Sequence, residues 1–114
     1  MTIDQEAKNL LLREEIIDYY DDSQKLAQYY MIDDKLDGEY KLYYNNKQIW
    51  IHCFFKNDEL NGEYKVWYQD GELWEHYFIK NGKRDGEYKH WDKTGRLIEH
   101  CLYKDDDMIK DYLK

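Results

Sequence analysis

The feature that most constrains the fold of this chain is a gapless internal repeat of 24 residues. The stretch Leu60–Lys83 reads LNGEYKVWYQDGELWEHYFIKNGK, and the same frame recurs at Leu36–Glu59 and at Arg84–Asp107. Self-similarity at a fixed period is the signature of repeat architectures, in which each unit buries its apolar side against its neighbours. The sequence therefore predicts one structural unit built three times.

Each repeat has the pattern of a β-hairpin. In the middle copy, Asp70-Gly71 is a two-residue hairpin signal between two runs rich in aromatic and β-branched residues. A two-residue turn there pairs Trp67 with Trp74 and Gly62 with Ile79. The predicted fold class is all-β, a single-layer antiparallel meander of stacked β-hairpin repeats, twisted or curled, with a short N-terminal helix.

Because side chains alternate along a strand, the predicted hairpin has two different faces. Face one is the face of Tyr64 and Tyr77, and face two is the face of Lys65 and His76. Face one is the expected core, since its positions in the first copy are all aromatic, aliphatic or cysteine: Tyr40, Leu42, Tyr44, Ile49, Ile51, Cys53 and Phe55. Face two is mixed, with an aromatic row, a Lys–His row and a Glu–Phe row.

The two ends of the chain carry weaker forms of the frame, as the terminal repeats that cap an array do. We expect one domain over 1–114, made of an N-terminal helix or cap (1–15), a degenerate repeat (16–35), three full repeats (36–59, 60–83 and 84–107) and a C-terminal cap strand (108–114). Thr2 and Gln5 have the spacing of a capping box, and the apolar residues that follow share one helical stripe, expected to cover the first edge of the sheet. A disordered tail is the alternative.

The recurring frame is G-E-Y-K, then an aromatic, a turn, an apolar pair, a histidine, and an aromatic before K-N/D. This frame resembles the variant MORN repeat, a short β-hairpin unit, over about two-thirds of the chain. The resemblance implies repetitive sheets and protein- or membrane-associated scaffolding, and it brings no catalytic motif. Relatives of this type occur in bacteria, some near toxin–antitoxin loci, and in large DNA viruses, so an antitoxin or immunity protein is one implied role.

The charge of the chain limits its partners. A net charge of −8 disfavours non-specific attraction to nucleic acid and to anionic membranes, so we expect no nucleic-acid partner. The sequence has no apolar run long enough to span a bilayer and no hydrophobic region of a signal peptide. With two cysteines and no secretory signal, the expected location is a reducing one: the cytoplasm, or the host cytoplasm or virion if the chain is viral.

Histidine and cysteine recur at neighbouring repeat positions, which raises the question of a metal site. Equivalent histidines lie two strands apart, about 10 Å, whereas zinc ligands lie about 2 Å from the metal. We therefore expect no metal and no cofactor. We also expect no disulfide between Cys53 and Cys101, because strand spacing places their Cα atoms about 20 Å apart.

Catalysis is not expected either. The hydroxyl side chains other than tyrosine are only Thr2, Ser23 and Thr94. The predicted register places each cysteine opposite a tyrosine, so it offers no thiol–imidazole pair. There is no glycine-rich phosphate loop. The chain is expected to be no enzyme.

The expected working surface is face two. Its candidate binding residues are the aromatic row and the recurring histidines: Tyr43, Trp50, Trp67, Trp74, Trp91, His52, His76 and His100. Tryptophan and tyrosine dominate binding hot spots, and an aromatic patch rimmed by charges is typical of an interaction site. The expected partner is another protein, a second copy of this chain included. Two alternatives stay open: the row is a second small core, or the repeated lysines bind an anionic ligand or membrane headgroup.

Overall fold

The computed structural model describes residues 5–21 and 23–114, and it confirms the all-β antiparallel meander. The elements are α1 (Gln5–Leu12), β1 (Glu14–Asp21), β2 (Gln24–Ile32), β3 (Lys35–Tyr43), β4 (Ile49–Lys56), β5 (Glu59–Leu60), β6 (Gly62–Trp67), β7 (Leu73–Lys80), β8 (Lys83–Arg84), β9 (Gly86–Trp91), β10 (Leu97–Lys104) and β11 (Asp107–Asp111). The strands form one open sheet in the order β1-β2-β3-β4-β6-β7-β9-β10-β11, with β5 paired to β4 and β8 to β7.

The N-terminal helix expected over 1–15, and its packing on the first sheet edge, stay a prediction. Residues 1–4, which include Thr2 of the expected capping box, lie outside the described residues. The structure places Gln5–Leu12 in α1, and the first strand begins at Glu14.

Each full repeat is a hairpin whose second strand pairs with the first strand of the next repeat. Thus β3 pairs with β4, β4 with β6, β6 with β7, β7 with β9, and β9 with β10. At the glycine end of each hairpin the register is the predicted one, since Gly62 lies opposite Ile79 and the equivalent glycines lie opposite Phe55 and Tyr103.

The turn of the hairpin is one residue longer than predicted. The Tyr68 N–H donates to the Glu72 carbonyl at 2.8 Å, and the Gly71 N–H donates to the Tyr68 carbonyl at 3.0 Å. The loop therefore holds three residues, with Gly71 left-handed at φ 94°. Asp70 stabilises this longer loop because its Oδ1 accepts the Glu72 N–H at 2.9 Å. The two-residue turn was wrong for this reason.

A β-bulge directly after the loop restores the predicted register. Trp67 pairs with Leu73, whereas Val66 pairs with Glu75, so Trp74 has no residue opposite. The same shift occurs at the equivalent positions of the first and third repeats. A bulge re-aims the side chain of the extra residue. The extra residue of the loop and the extra residue of the bulge thus offset each other, and the register farther along the strands is the predicted one. From the loop to the bulge, residues of the second strand lie on the opposite face from the one predicted.

Face one is the core, as expected. The buried apolar residues all lie there: Ala27, Cys53, Val66, Ile79 and Cys101. A ladder of tyrosine rings crosses the repeats on this face, with centroid distances of 4.8 Å for Tyr64–Tyr77 and 5.5 Å for Tyr77–Tyr88. Glu75, the one acidic residue that the pattern placed on this face in the middle repeat, accepts a hydrogen bond from the Tyr88 hydroxyl at 2.5 Å. The Tyr77–Tyr88 contact couples the middle repeat to the third.

The first repeat offers a stabilising substitution in its hairpin loop. Lys47 occupies the left-handed position at φ 74°, where the other two repeats have Gly71 and Gly95. A left-handed conformation costs a non-glycine residue about 1–2 kcal/mol, and glycine is freer when unfolded. Lys47→Gly is therefore expected to raise the free energy of unfolding by about 0.5–1 kcal/mol, measured by urea denaturation. Lys93→Gly, in a loop position without a positive φ, should give no gain; an equal gain there would contradict the explanation.

Candidate functional site

The structure divides the predicted aromatic row between the two faces of the sheet. Tyr43, Trp67 and Trp91 remain on face two, in line with the lysines that precede them on the same strands. The residues opposite them are aliphatic, namely Ile49, Leu73 and Leu97. The predicted cross-strand pairs Tyr43/Trp50 and Trp67/Trp74 are therefore wrong, because the bulge moves one member of each pair.

Trp74 lies on face one. Its ring stacks on Tyr68 with 4.8 Å between centroids and 11° between planes, and its Nε1–H donates to His90 Nε2 at 3.0 Å. His90 belongs to face one because it pairs with Glu75. Ile49 and Leu73, which the sequence placed in the core, lie on face two instead.

Trp50 repeats the arrangement of Trp74 in the first hairpin. Its ring stacks on Tyr44 with 5.0 Å between centroids and 20° between planes. The third repeat has Asp92 and Ile98 at these two positions, and Ile98 is exposed. Stacked tyrosine–tryptophan pairs are thus a property of the first two repeats.

The three predicted histidines stay on face two. Each histidine belongs to its own set of three side chains, and the three sets have the same composition. Each histidine lies opposite a lysine of the neighbouring strand, in the pairs Lys41–His52, Lys65–His76 and Lys89–His100. Each histidine Nε2 is 2.9–3.0 Å from a carboxylate oxygen, in the pairs His52–Glu39, His76–Glu63 and His100–Glu87. The lysine Nζ is 3.6–3.7 Å from the same carboxylate.

These contacts balance the charge within each set. The hydrogen bond from His76 lowers the pKa of Glu63, and the hydrogen bond from His100 lowers the pKa of Glu87, so both carboxylates stay ionised. In each set the lysine cation and the glutamate anion are neighbours on one strand, and the histidine of the partner strand donates from Nε2 to the same glutamate. The repeated lysines do not present an excess of positive charge.

The sets are partly exposed although they are paired. Side-chain exposure is 22–24% for the three histidines and 37–49% for the three glutamates. The aromatic residues after two of the histidines are part of the same surface, since the Phe54 and Phe78 rings lie 5.3 and 5.2 Å from His52 and His76. Sequence reasoning left these phenylalanines out of the candidate site; their recurrence two residues after the histidine is the signal that finds them.

No metal centre is evident on either face. Among residues 5–21 and 23–114, no three histidine, cysteine, aspartate or glutamate side chains are placed to hold a metal ion. The equivalent histidines are separated by two strands, and each already has a glutamate partner.

Both thiols are buried and free, on β4 and β10, which β6, β7 and β9 separate. Burial raises the pKa of Cys53 to about 12 and also raises the pKa of Cys101. Because the thiolate is the reactive form, we expect the folded protein to react very slowly with Ellman's reagent at pH 8 and to react at both thiols once unfolded in urea. Rapid reaction in the folded state, or an intramolecular disulfide found by non-reducing mass spectrometry, would contradict the strand order.

An open single-layer sheet of tandem hairpins, with one core face and one exposed charged face, defines a β-hairpin repeat protein. The family model described as "MORN repeat variant" matches residues 36–57, 60–81 and 84–105, and the chain belongs to this family. MORN repeats are commonly modules that interact with proteins or membranes, and the family is generally non-catalytic. No curated protein and no solved structure matches the chain. No helix in the described part of the chain is long and apolar enough to cross a membrane.

Proposed function

We propose that this chain is a non-catalytic protein-interaction module and that face two is its binding surface. One observation carries the proposal: three copies of the same glutamate–histidine–lysine set lie partly exposed on one face, and each set is already charge-balanced. Because equivalent sets are two strands apart, they repeat about every 9.6 Å. A surface of this kind recognises a partner by shape and paired polar contacts rather than by net charge.

Aromatic residues beside the charged sets supply apolar contact area. Tyr43, Trp67 and Trp91 end the same strands that carry the lysines, so face two joins an apolar row to a polar one. Binding hot spots commonly combine a buried aromatic anchor with a polar rim that excludes water. We therefore assign the anchor role to these three aromatic residues and the polar contacts to His52, His76 and His100. The partner is another protein, with a second copy of the chain included.

A catalytic role has no support in the arrangement of reactive groups. Both thiols are buried with raised pKa values, and the histidine next to each thiol is held by a glutamate on the opposite face of the strand. A nucleophile–base pair would need the thiol and the imidazole on one face. A role as an antitoxin or immunity protein would be a particular case of the proposed protein interaction.

The alternative function for the same surface is binding to an anionic membrane through the lysines. Each lysine of the three sets lies beside a glutamate, and the chain carries a net charge of −8. We therefore expect no co-sedimentation with vesicles that contain phosphatidylserine at physiological salt. Salt-sensitive sedimentation that is lost in a Lys41→Gln/Lys65→Gln/Lys89→Gln variant would favour the membrane reading instead.

Matched variants test the proposal in two experiments. Each variant is used as bait for affinity purification from the native host, and its self-association is measured by sedimentation velocity. Trp67→Ala/Trp91→Ala removes two anchors from face two, while Ile98→Ala removes an exposed apolar residue at the bulge of the third repeat. We expect the first variant to remain folded by circular dichroism but to lose the protein or the self-association that the native chain and Ile98→Ala retain. Equal retention by both variants would refute face two as the binding surface.

A further inference from the structure

We infer that the bulged side of the hairpins on face one forms a groove for a proline-rich segment of another protein, bound as a polyproline II helix beside a basic residue. This inference rests on the proposed function only in assuming that the partner is a protein. The residues involved are on face one, so the variants that test the groove differ from those that test face two.

Three tyrosines recur at equivalent positions across this part of the sheet, and we call their side chains ridges. The hydroxyls of Tyr20, Tyr44 and Tyr68 donate to the backbone carbonyls of Tyr43, Trp67 and Trp91 at 2.8, 2.7 and 2.8 Å. Each hydrogen bond links one repeat to the next, which fixes the ring rather than leaving it free to rotate. Because the tyrosines occupy equivalent positions two strands apart, successive ridges are separated by about 9.6 Å.

The bulged tryptophans make two of these ridges rigid aromatic walls. Trp50 and Trp74 stack on the tyrosines of their own repeats, and the Trp74 indole is also anchored on His90. Between the walls lies a groove of about 500 Å³, lined by Tyr44, Tyr68, Gln69, Asp70, Trp74 and Lys93. This volume falls in the range of ligand-binding clefts, and pre-organised walls lower the entropy cost of binding.

The spacing of the ridges selects among extended and helical ligands. A polyproline II helix advances about 3.1 Å per residue and repeats every three residues, which gives about 9.3 Å per turn. Proline at every third position would therefore meet successive spaces between ridges. A β-strand presents one face every two residues, about 6.6 Å, and an α-helix has a pitch of 5.4 Å, so neither matches. Proline-rich segments commonly dock in aromatic-lined grooves of this kind.

The charge of the groove favours a basic residue beside the prolines of the ligand. Asp70 lines the groove, and the net charge of −8 favours approach of a basic segment. Lys93, with its Nζ 5.9 Å from the centroid of the Tyr68 ring, belongs to the loop of the third repeat, so the expected basic residue lies at the Asp70 end. This sequence contains no proline, so the ligand is not a second copy of it.

The test uses the intact chain and a fluorescein-labelled synthetic peptide with proline at every third position and a terminal arginine. We expect saturable binding by fluorescence anisotropy, about tenfold weaker binding of a scrambled peptide of the same composition, and weaker binding of a peptide ending in glutamate. Trp74→Leu should reduce affinity at least tenfold, while Met108→Ala, which alters an exposed apolar residue on β11, should not. Asp70→Asn, which can keep the turn hydrogen bond, should remove the preference for arginine over glutamate.

Circular dichroism and thermal unfolding of each variant separate loss of the groove from loss of the fold. If Trp74→Leu unfolds, two other variants replace it. Tyr44→Leu alters the other aromatic wall of the groove, and Asp70→Asn removes the negative charge that lines it. Absent binding of the proline-rich peptide, equal affinity for the scrambled peptide, or equal loss in Met108→Ala would each overturn the inference. So would self-association abolished by Trp74→Leu, because a second copy would then occupy the groove. None of these results bears on face two, which its own variants test.

Discussion

Replacing Gly62 with alanine is expected to lower the free energy of unfolding by about 2–3 kcal/mol, although the substitution adds one methyl group. The reason is the backbone, since Gly62 has φ 121°, a region that side-chain-bearing residues rarely adopt and that costs about 1–3 kcal/mol. The new Cβ would lie 3.5 Å from Phe54 Cβ, which is an ordinary contact, so the expected loss comes from the backbone conformation. Urea denaturation of Gly62→Ala measures the loss.

Gly82 provides the matched control for Gly62. It lies in the turn between repeats at φ 76°, where the equivalent Asp58 and Asp106 adopt φ 67° and 71°. Asparagine tolerates this left-handed region, and only the mobile end of the Glu59 side chain would have to move. Gly82→Asn should therefore change stability by less than about 1 kcal/mol. A loss as large as that of Gly62→Ala would mean that the positive φ of Gly62 is not the cause.

Replacing Arg13 with leucine is the second substitution with a large expected effect. Arg13 Nη2 donates to Asp37 Oδ1 at 2.7 Å, and Asp37 is buried. Removing one partner of a buried ion pair costs about 3–5 kcal/mol, because the other charge is left without compensation. The Arg13 side chain is 25% exposed, so water can reach part of the site. We expect a loss of about 2–3 kcal/mol in urea denaturation.

The effect should depend on the charge left behind. Arg13→Leu/Asp37→Asn removes both charges and should recover part of the loss, which a double-mutant cycle measures as a coupling energy. Asp85→Asn alters the residue equivalent to Asp37 in the third repeat, which is less buried, and should have little effect. Additive losses in the cycle would show that Arg13 stabilises the fold through packing alone.

The repeat period and the alternation of residues were sufficient to predict the sheet. Tyr64, Tyr77 and their equivalents identify the core face because β-strand alternation is strict, and the opposition of Gly62 and Ile79 follows from the same pattern. The turn could not be predicted from Asp70-Gly71 alone. The same dipeptide fits a two-residue turn and a three-residue loop with a left-handed glycine, and in the structure the Asp70 side chain accepts a hydrogen bond within the longer loop.

The sequence could not predict how the aromatic residues divide between the two faces, because a β-bulge has no strong local sequence signature. Trp67 and Trp74 look like cross-strand partners in any regular hairpin. The bulge places Trp74 on face one, where Tyr68 and His90 provide its contacts. The Lys–His pairing on face two was predicted, since it lies beyond the bulge. The hydrogen bonds of His52, His76 and His100 to glutamates two positions along the opposite strand needed the three-dimensional structure.

Both proposed surfaces depend on the bulge placing Trp74 and Trp67 on opposite faces of the sheet. Nuclear Overhauser spectroscopy of the isotope-labelled chain measures this directly through the indole Nε1–H of each tryptophan. We predict contacts from the Trp74 indole to the Tyr68 and His90 rings, and contacts from the Trp67 ring to Leu73. Contacts between the Trp67 and Trp74 rings, with none from Trp74 to His90, would show a regular two-residue hairpin and contradict the account.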